Sequence, residues 1–287
     1  MPLVTTRPGS DVAAMRTRAE QTQGGYRING RKMWCTNGVV GDVFTVFAKT
    51  DPDAGHRGIT AFLVERGAEG FTIGRTEQLI GLHGSPTTEL IFEDVFVPAE
   101  ARLGEEGEGF RIGVITLDES RLHCAATALG VATAALDHAV AYARERTQFG
   151  KPVIEHQGLQ FLIAECATEL AAARALWERT TEMILERHDR RASTFAAMTK
   201  LICSDLSMKI TTEAVQIMGA AGLSTAHPVE RFMRDAKAFQ IYDGTSQIQK
   251  SIIGRQLAKD GLPFDHLSVA DLSVGARQQQ ETSDGKG

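Results

Sequence analysis

Apolar and polar residues alternate over the first hundred positions in short runs that predict β-structure. The runs are rich in β-branched and aromatic residues and are separated by turns that contain Asp, Pro and Gly. Within the first run, Asn29-Gly30 is the pair favoured in two-residue hairpins, so a hairpin is predicted there. Together the runs predict a meander of about five or six strands. They begin near Gly24, Val43, Ile59, Phe71 and Glu89.

From about residue 107 the apolar residues recur at spacings of three and four, which is the period of an amphipathic helix. The sequence FGKP at 149–152 and the glycines from Gly219 to Gly222 interrupt this pattern. Helices of such length without internal repeats favour an antiparallel bundle. The predicted helices cover 108–146, 154–187, 192–218, 228–237 and 246–260.

Strands therefore come first and helices second, which predicts an α+β fold with two segregated parts. We place a β-domain at 1–105, a helical domain at 106–260 and a polar, largely disordered tail at 261–287.

Composition and charge narrow the function classes. The 287 residues are 43% hydrophobic and 23% charged, as expected for a globular protein. A net charge of -5 gives no general basic field, so neither nucleic acid nor an anionic membrane is expected as a partner. The sequence has no run of 18 apolar residues, so membrane insertion is not expected. The first 20 residues carry several charges and no apolar core of a signal peptide, which predicts a cytoplasmic protein.

The cysteines are widely spaced, without a CxxC pair or a histidine-rich cluster. We expect them to be reduced core residues, and we expect no metal site. They are Cys35, Cys124, Cys166 and Cys203.

Five separated stretches carry a family resemblance. They are GGYRINGRKMWCTNG (24–38), IFEDVFVP (91–98), RERTQFGKPVIEHQGLQF (144–161), AVQIMGAAG (214–222) and RDAKAFQIYDGTSQIQ (234–249). In this order and spacing the chain resembles the acyl-CoA dehydrogenase family of flavoproteins over about residues 1–257.

The resemblance implies a small antiparallel β-barrel-like domain followed by a C-terminal antiparallel four-helix bundle. It implies FAD between the two domains and an acyl-CoA thioester on the flavin face, in fatty acid metabolism. In this family a carboxylate removes the α-proton while a hydride leaves the β-carbon for flavin N5. An electron-transferring flavoprotein is the implied electron acceptor.

The resemblance also assigns residues to FAD. It directs Arg146 across a subunit interface to the FAD pyrophosphate of the neighbouring subunit, together with Gln216. This implies a homo- or hetero-oligomer, either a dimer or a tetramer. Ala220 stands where the family more often has glycine. The assigned residues are Thr5, Thr6, Trp34, Cys35, Thr36, Arg146, Gln148, Phe149, Gln157, Gln216, Gly219, Ala220, Thr245 and Gln247.

From the residues alone, simpler readings stay open. Trp34 is equally consistent with a core aromatic residue, and Arg146 with a cation that interacts favourably with a helix C-terminus.

Substrate contacts follow from the same resemblance. They are Ser10, Asp118, Arg121, Gly244 and Arg255, with Arg255 at the adenine end of CoA. The alternative for Asp118 and Arg121 is the solvated face of a helix.

Asp243 is the candidate catalytic base. It lies in YDGT, where the family commonly has glutamate in YEGT, so the carboxylate is kept but is one methylene shorter. The alternative is a helix cap, since Asp before Gly-Thr-Ser is a good N-cap sequence. A subgroup of the family carries its glutamate at the position of Ser120. Glu119, one residue earlier, points about 100° away around the helix.

Family members usually have an all-helical domain before the loop that contains Thr5, and this sequence begins just before that loop. Three explanations stay open: a fragment or misassigned start, a subunit whose partner supplies the helical domain, or a non-catalytic remnant. A flavin oxidase of the nitroalkane-oxidising branch is a further alternative, because aspartate is the base in some relatives of that kind.

Overall fold

A computed structural model describes residues 9–186 and 191–263. Thr5, Thr6 and the predicted tail from residue 264 onward lie outside these ranges. One seven-stranded sheet forms the first part, with the strand order β5-β6-β2-β1-β3-β4-β7. The strands are β1 (Arg18–Thr22), β2 (Gly25–Thr36), β3 (Val43–Lys49), β4 (Ile59–Glu65), β5 (Phe71–Glu77), β6 (Thr87–Pro98) and β7 (Arg102–Leu103).

The sheet is mostly antiparallel, and β1 and β3 form its parallel pair. The prediction of a meander of five or six strands was wrong, because β2 pairs with the distant β6 and β1 pairs with β3. In this ladder β5 and β7 are the edge strands. Closure into a barrel-like form stays a prediction.

The predicted hairpin at Asn29-Gly30 was wrong. Residues on both sides of this pair belong to the single strand β2, and the turn between β1 and β2 lies at 23–24, because Thr22 pairs with Gly25. Gly30 has φ 140° and lies where the register with β6 shifts, at a β-bulge. A Cβ atom on Gly30 would lie 2.8 Å from Thr17 Cα, so this close approach requires glycine.

The sheet core contains a buried lysine. Apolar residues such as Ile28, Phe62 and Leu90 form this core, as the alternating pattern predicts. Lys32 is only 2% exposed among them, and its Nζ donates to the carbonyl oxygen of Phe47 on β3. Strand β1 lies between β2 and β3 and begins at Arg18. Lys32 and Phe47 lie past this end of β1.

Five α-helices form the second part, and their bounds lie within a few residues of the predicted ones. The central helix is α3, which packs against the other four, while α1 also packs against α2 and α4. The antiparallel four-helix bundle stays a prediction. The helices are α1 (Gly109–Glu145), α2 (Gln157–Leu185), α3 (Ala192–Met218), α4 (Val229–Phe239) and α5 (Ser246–Asp260).

The predicted interruption after α1 is a small hairpin. Its strands are β8 (Thr147–Gln148) and β9 (Lys151–Pro152), which pair antiparallel around Phe149-Gly150. Phe149 and Gly150 have φ values of 51° and 80°, as a tight turn requires.

Helix α1 is long and apolar enough to cross a membrane by length and composition. The core helix of a globular protein passes the same test, and α1 packs against three other helices.

Two contacts join the sheet to the helices. At the start of α1, a Cβ atom on Gly109 would lie 2.8 Å from the Ile59 carbonyl oxygen, so the helix begins directly against β4. At the other contact, the Leu82 amide donates to Asp235 Oδ1 at 2.6 Å, and Arg234 donates to the Ile80 carbonyl oxygen at 2.8 Å. The loop between β5 and β6 is thereby fixed on α4. The domain boundary at 105/106 stays a prediction.

Candidate active site

Asp243 lies in a left-handed turn between α4 and α5. Asp243 and Gly244 have φ values of 54° and 89°. This region is uncommon for a residue with a side chain, although Asp enters it more readily than most. The turn directs the carboxylate toward α1, where Ser120 Oγ donates to Asp243 Oδ2 at 2.7 Å. The two positions at which family members carry their base are therefore in contact.

The capping alternative for Asp243 is wrong. Thr245 is the N-cap of α5, and its Oγ1 accepts from the Ile248 amide at 3.2 Å. The carboxylate of Asp243 is thus left to interact with Ser120.

The polar residues on α1 next to Ser120 form a buried ion pair. Arg121 is 6% exposed and donates to Asp118, which also accepts from Ser193 Oγ at 3.0 Å. Burial lowers the pKa of Arg121, opposed by Asp118 and Asp243, and burial raises the pKa of Asp118, opposed by Arg121. Arg121 therefore does not lie on the solvated face of the helix, as the alternative required. Its neighbour Glu119 is exposed.

Arg121 Nε has no hydrogen-bond partner within the described residues, although it is buried. An unpartnered buried donor is costly, and the described residues supply no acceptor for this one. The substrate roles of Asp118 and Arg121 stay predictions.

A second set of buried polar groups holds the backbone of the turn. Lys200 on α3 is 0% exposed, and its Nζ donates to the Gly244 carbonyl oxygen at 2.8 Å. Gln249 Nε2 donates to the carbonyl oxygens of Asp243 and Gly244 at 3.0 and 2.9 Å. Asp205 accepts from Gln240 and Ser246 at 2.6 and 2.9 Å. The turn and the residues that flank it are therefore held by Lys200 and Asp205 on α3 and by Gln249 on α5.

Sequence reasoning missed Lys200, Gln249 and Asp205. The available signal was that Lys200 shares a helix face with Ala196, Cys203 and other small residues of the 3.6-residue pattern. A lysine on the apolar face of a helix marks a buried charge.

The Trp34 to Thr36 segment ends β2. Trp34 is 52% exposed with φ 60°, and Thr36 is exposed, so their side chains are available to a ligand. The core reading of Trp34 is therefore wrong. Cys35 is fully buried in the sheet core, unlike its two neighbours, and its cofactor assignment stays a prediction.

This segment is tied to the helices through the loop between β5 and β6. The Asn37 amide donates to the Pro86 carbonyl oxygen at 2.7 Å, and Ser85 Oγ donates to Asn37 Oδ1 at 3.3 Å. Since the same loop is fixed on α4, the end of β2 is linked to the helix that leads into Asp243.

The Arg146 group lies at the far end of α1. Arg146, Gln148 and Phe149 are exposed on the β8–β9 hairpin, and Phe149 is 95% exposed. Asp118 and Arg146 are separated by roughly 40 Å along α1 at 1.5 Å per residue. The structure does not bring this group to Asp243 within one chain.

The other assigned residues are placed as follows. Thr245 and Gln247 flank the start of α5, next to Asp243. Gln216, Gly219 and Ala220 are exposed at the end of α3, and Gln157 is exposed at the start of α2. Ser10 and Arg255 are exposed, and Arg255 Nε donates to the Ser251 carbonyl oxygen at 3.2 Å.

All four cysteines are free and buried, which confirms the prediction of reduced core residues. Burial raises the pKa of Cys124 to about 11 and those of Cys35 and Cys203 to about 12. Within residues 9–186 and 191–263, no group of three or more His, Cys, Asp or Glu side chains could hold a metal ion.

The available residues fit the chemistry of a flavin dinucleotide. A flavin ring has an apolar face and polar edges, which match the exposed indole of Trp34 and the hydroxyls of Thr36 and Thr245. A pyrophosphate matches a cation and backbone near glycine, as at Arg146 and Gly219.

Comparison with protein families gives two matches. The acyl-CoA dehydrogenase middle domain matches residues 5–95, and the acyl-CoA dehydrogenase C-terminal domain matches residues 107–258. Cyclohex-1-ene-1-carbonyl-CoA dehydrogenase of Syntrophus aciditrophicus is 47% identical over 249 residues, which is 87% of this chain and 60% of the relative. The chain therefore spans less than two thirds of that relative.

Two solved structures have the same fold. Butyryl-CoA dehydrogenase from Megasphaera elsdenii has a TM-score of 0.88 and 44% identity, over 90% of this chain and 67% of the other. A chain in the structure reported for the electron transferring flavoprotein of Acidaminococcus fermentans gives the same score and identity, over 90% and 68%. The chain belongs to the acyl-CoA dehydrogenase family.

Proposed function

We propose that the protein is an FAD-dependent acyl-CoA dehydrogenase in which Asp243 removes the α-proton of an acyl-CoA thioester. The observation that carries the proposal is the carboxylate of Asp243, directed by a left-handed turn onto Ser120 Oγ at 2.7 Å. A general base requires a fixed carboxylate within reach of the proton.

The proposed reaction breaks one C–H bond at the α-carbon and one at the β-carbon, and each hydrogen has its own acceptor. Asp243 takes the α-carbon hydrogen as a proton, and a double bond forms between the α- and β-carbons. When bound, FAD supplies the two-electron oxidant that accepts the β-carbon hydrogen as a hydride. Ser120 orients the carboxylate, and Gly244 lies next to it in the turn.

Two separated groups of residues are proposed to hold FAD. Trp34, Thr36, Thr245 and Gln247 belong to the chain that contributes Asp243. A second chain contributes Arg146, Gln148 and Phe149, because one chain keeps them roughly 40 Å from Asp118. The remaining members of this second group are Gln157, Gln216, Gly219 and Ala220. The proposal therefore requires an oligomer.

A CoA thioester is the proposed substrate class, because the similar proteins above are named for CoA substrates. An electron-transferring flavoprotein is the proposed electron acceptor, from the Acidaminococcus fermentans structure. For the architecture, we propose that α1, α2, α3 and α5 form the four-helix bundle, supported by the packing of α3 against the other three.

The test is to purify the full chain with excess FAD and to record its visible spectrum before and after adding butyryl-CoA or cyclohex-1-ene-1-carbonyl-CoA. We expect a flavin band that is bleached by at least one of the two thioesters. Absence of bound flavin, or a flavin band that no acyl-CoA bleaches, would contradict the proposal. A matched control is Asp243→Asn, which should keep the flavin band and lose the bleaching.

A further inference from the structure

Lys200 and Gln249 both donate hydrogen bonds to the backbone of the turn that carries Asp243. Their side-chain nitrogens donate to the carbonyl oxygens of Asp243 and Gly244 at 2.8 to 3.0 Å. We propose that Lys200, with Gln249, is a positioning residue that holds Asp243 in the geometry for proton abstraction. This inference rests on the proposed function of Asp243.

Backbone conformation supplies the first argument. Two successive residues with positive φ form a turn that few side chains favour, so the surrounding structure must determine it. A Cβ atom on Gly244 would lie 2.7 Å from Gln249 Nε2, so glycine permits the close approach of this amide. The turn is therefore built around the donors that bind its carbonyl groups.

The burial of Lys200 supplies the second argument. Burying an ammonium group costs several kcal/mol unless it is paired, and an apolar side chain of similar volume would fill the same space without that cost. Burial lowers the pKa of Lys200; Cys124, Asp243 and Asp205 oppose this effect, while Arg121 adds to it. Lys200 thus directs a buried charge at the backbone of the turn, where its hydrogen-bond acceptor is the Gly244 carbonyl oxygen.

The short side chain of Asp243 makes the catalytic rate depend on how rigidly the turn is held. A carboxylate one methylene shorter than glutamate has less freedom to correct an error in the backbone. Misplacement of a catalytic group by about 1 Å can cost about 10²-fold in rate. A flexible turn would therefore reduce turnover even with Asp243 intact.

The experiment compares Lys200→Met with Lys209→Met in the full chain purified with FAD. Lys209 lies on the same helix, is partly exposed and pairs with Glu169 at 2.7 Å, away from the turn. Hydrogen exchange by mass spectrometry is recorded for peptides covering 240–249 and for peptides within α1 and α3. Steady-state kinetics use butyryl-CoA, with and without deuterium at the α-carbon.

For Lys200→Met we expect exchange in 240–249 to become about tenfold faster, because a hydrogen bond from a charged donor is lost. We expect kcat to fall by about 10²-fold, with KM within about threefold of wild type and flavin content unchanged. The deuterium isotope effect on kcat should increase, because proton abstraction is slowed selectively. Lys209→Met should behave as wild type in every measurement.

Three results would overturn the inference: unchanged exchange in 240–249, faster exchange spread equally over α1 and α3, or reduced kcat with an unchanged isotope effect. The last two are the result of general destabilisation, which lowers the active fraction without altering the chemical step. If wild type oxidises no acyl-CoA, the proposed function fails. The exchange measurement then still tests whether Lys200 holds the turn.

Discussion

Within the described residues two lysines, Lys32 and Lys200, are fully buried, and they differ in what surrounds the charge. Each donates to one backbone carbonyl: Lys32 to Phe47 in the sheet and Lys200 to Gly244 in the helical part. Burial lowers the pKa of Lys32 to about 7, opposed by Cys35, whereas Cys124, Asp243 and Asp205 oppose burial at Lys200. A buried cation is thus poorly compensated in the sheet and well compensated at the site. We expect changes around Lys32 to act on stability and changes around Lys200 to act on turnover.

The largest expected effect is at Asp243, in the turn that Lys200 holds. Asp243→Asn should lower kcat by about 10³-fold, because the general base is lost while the side chain keeps its shape. Flavin content should stay unchanged, which separates loss of the base from loss of the fold. Stopped-flow bleaching by butyryl-CoA measures the first quantity. Asp243→Glu is the control and should retain or increase turnover; equal rates for wild type and Asp243→Asn would refute the base.

The next effect concerns the pH dependence at Lys32. The unfolded state keeps the lysine proton up to 10.5, whereas the folded state releases it above about 7. The unfolded state therefore binds more protons in this window, and stability contributed by Lys32 rises with pH from about 7 to 10.5. Below pH 7 the full cost of the buried charge is present.

Urea unfolding of wild type and Lys32→Met at pH 6 to 9.5 checks this expectation. The wild-type unfolding free energy should rise by about 3 kcal/mol more than that of the variant between pH 7 and 9.5. Lys49→Met, on the strand β3 that also carries Phe47, should keep the wild-type slope. Parallel curves for wild type and Lys32→Met would show that the two lysines are compensated alike.

A smaller effect is expected at the hydroxyl that orients Asp243. Ser120→Ala removes a hydrogen bond to a charged acceptor, worth about 1.5 to 3 kcal/mol. We expect kcat to fall by about tenfold or more, with KM for butyryl-CoA little changed. Ser193→Ala removes a hydroxyl from Asp118 instead and should have a smaller effect on kcat. If both variants lose the same activity, the contact with Asp243 has no special role.

The smallest expected effect is at Thr245, the N-cap of α5, and it concerns stability rather than catalysis. Thr245→Ala should lower the unfolding free energy by about 1 kcal/mol, because the cap of α5 is lost. Thermal or urea unfolding of the flavin-free chain measures it. Thr212→Ala, at an exposed position of α3, should cost less. If Thr245 were not the cap, Thr245→Ala would cost no more than Thr212→Ala.

The helices were predictable because the apolar period of 3.6 runs along almost all of α1, α2 and α3. The strands were located from the alternation of apolar and polar residues, but this pattern did not predict which strands pair. Asn29-Gly30 predicted a hairpin, yet the apolar residues on both sides continue one strand and Gly30 instead allows a bulge against Thr17. Local turn preference was overridden by pairing with the distant strand β6.

At the site, the motif YDGT indicated Asp243, but its partner could not be read from the sequence. Ser120 precedes Asp243 by 123 positions, and only the packing of α1 beside the turn brings them together. Lys200 was missed because a charged residue in a helix is ordinarily solvated. The groups around the charge, here Gly244 and Asp205, could be identified only from their positions in space.

Within one chain, helix α1 sets the distance between the residues proposed for one flavin site and those proposed for the flavin site of a neighbouring chain. It runs without a break from the start of the helical part to the β8–β9 hairpin, with Ser120 near one end and Arg146 just past the other. One inserted residue would rotate the hairpin by about 100° around the helix axis and move it by about 1.5 Å. The segment between Ser120 and Arg146 should therefore accept substitutions more readily than any change in length.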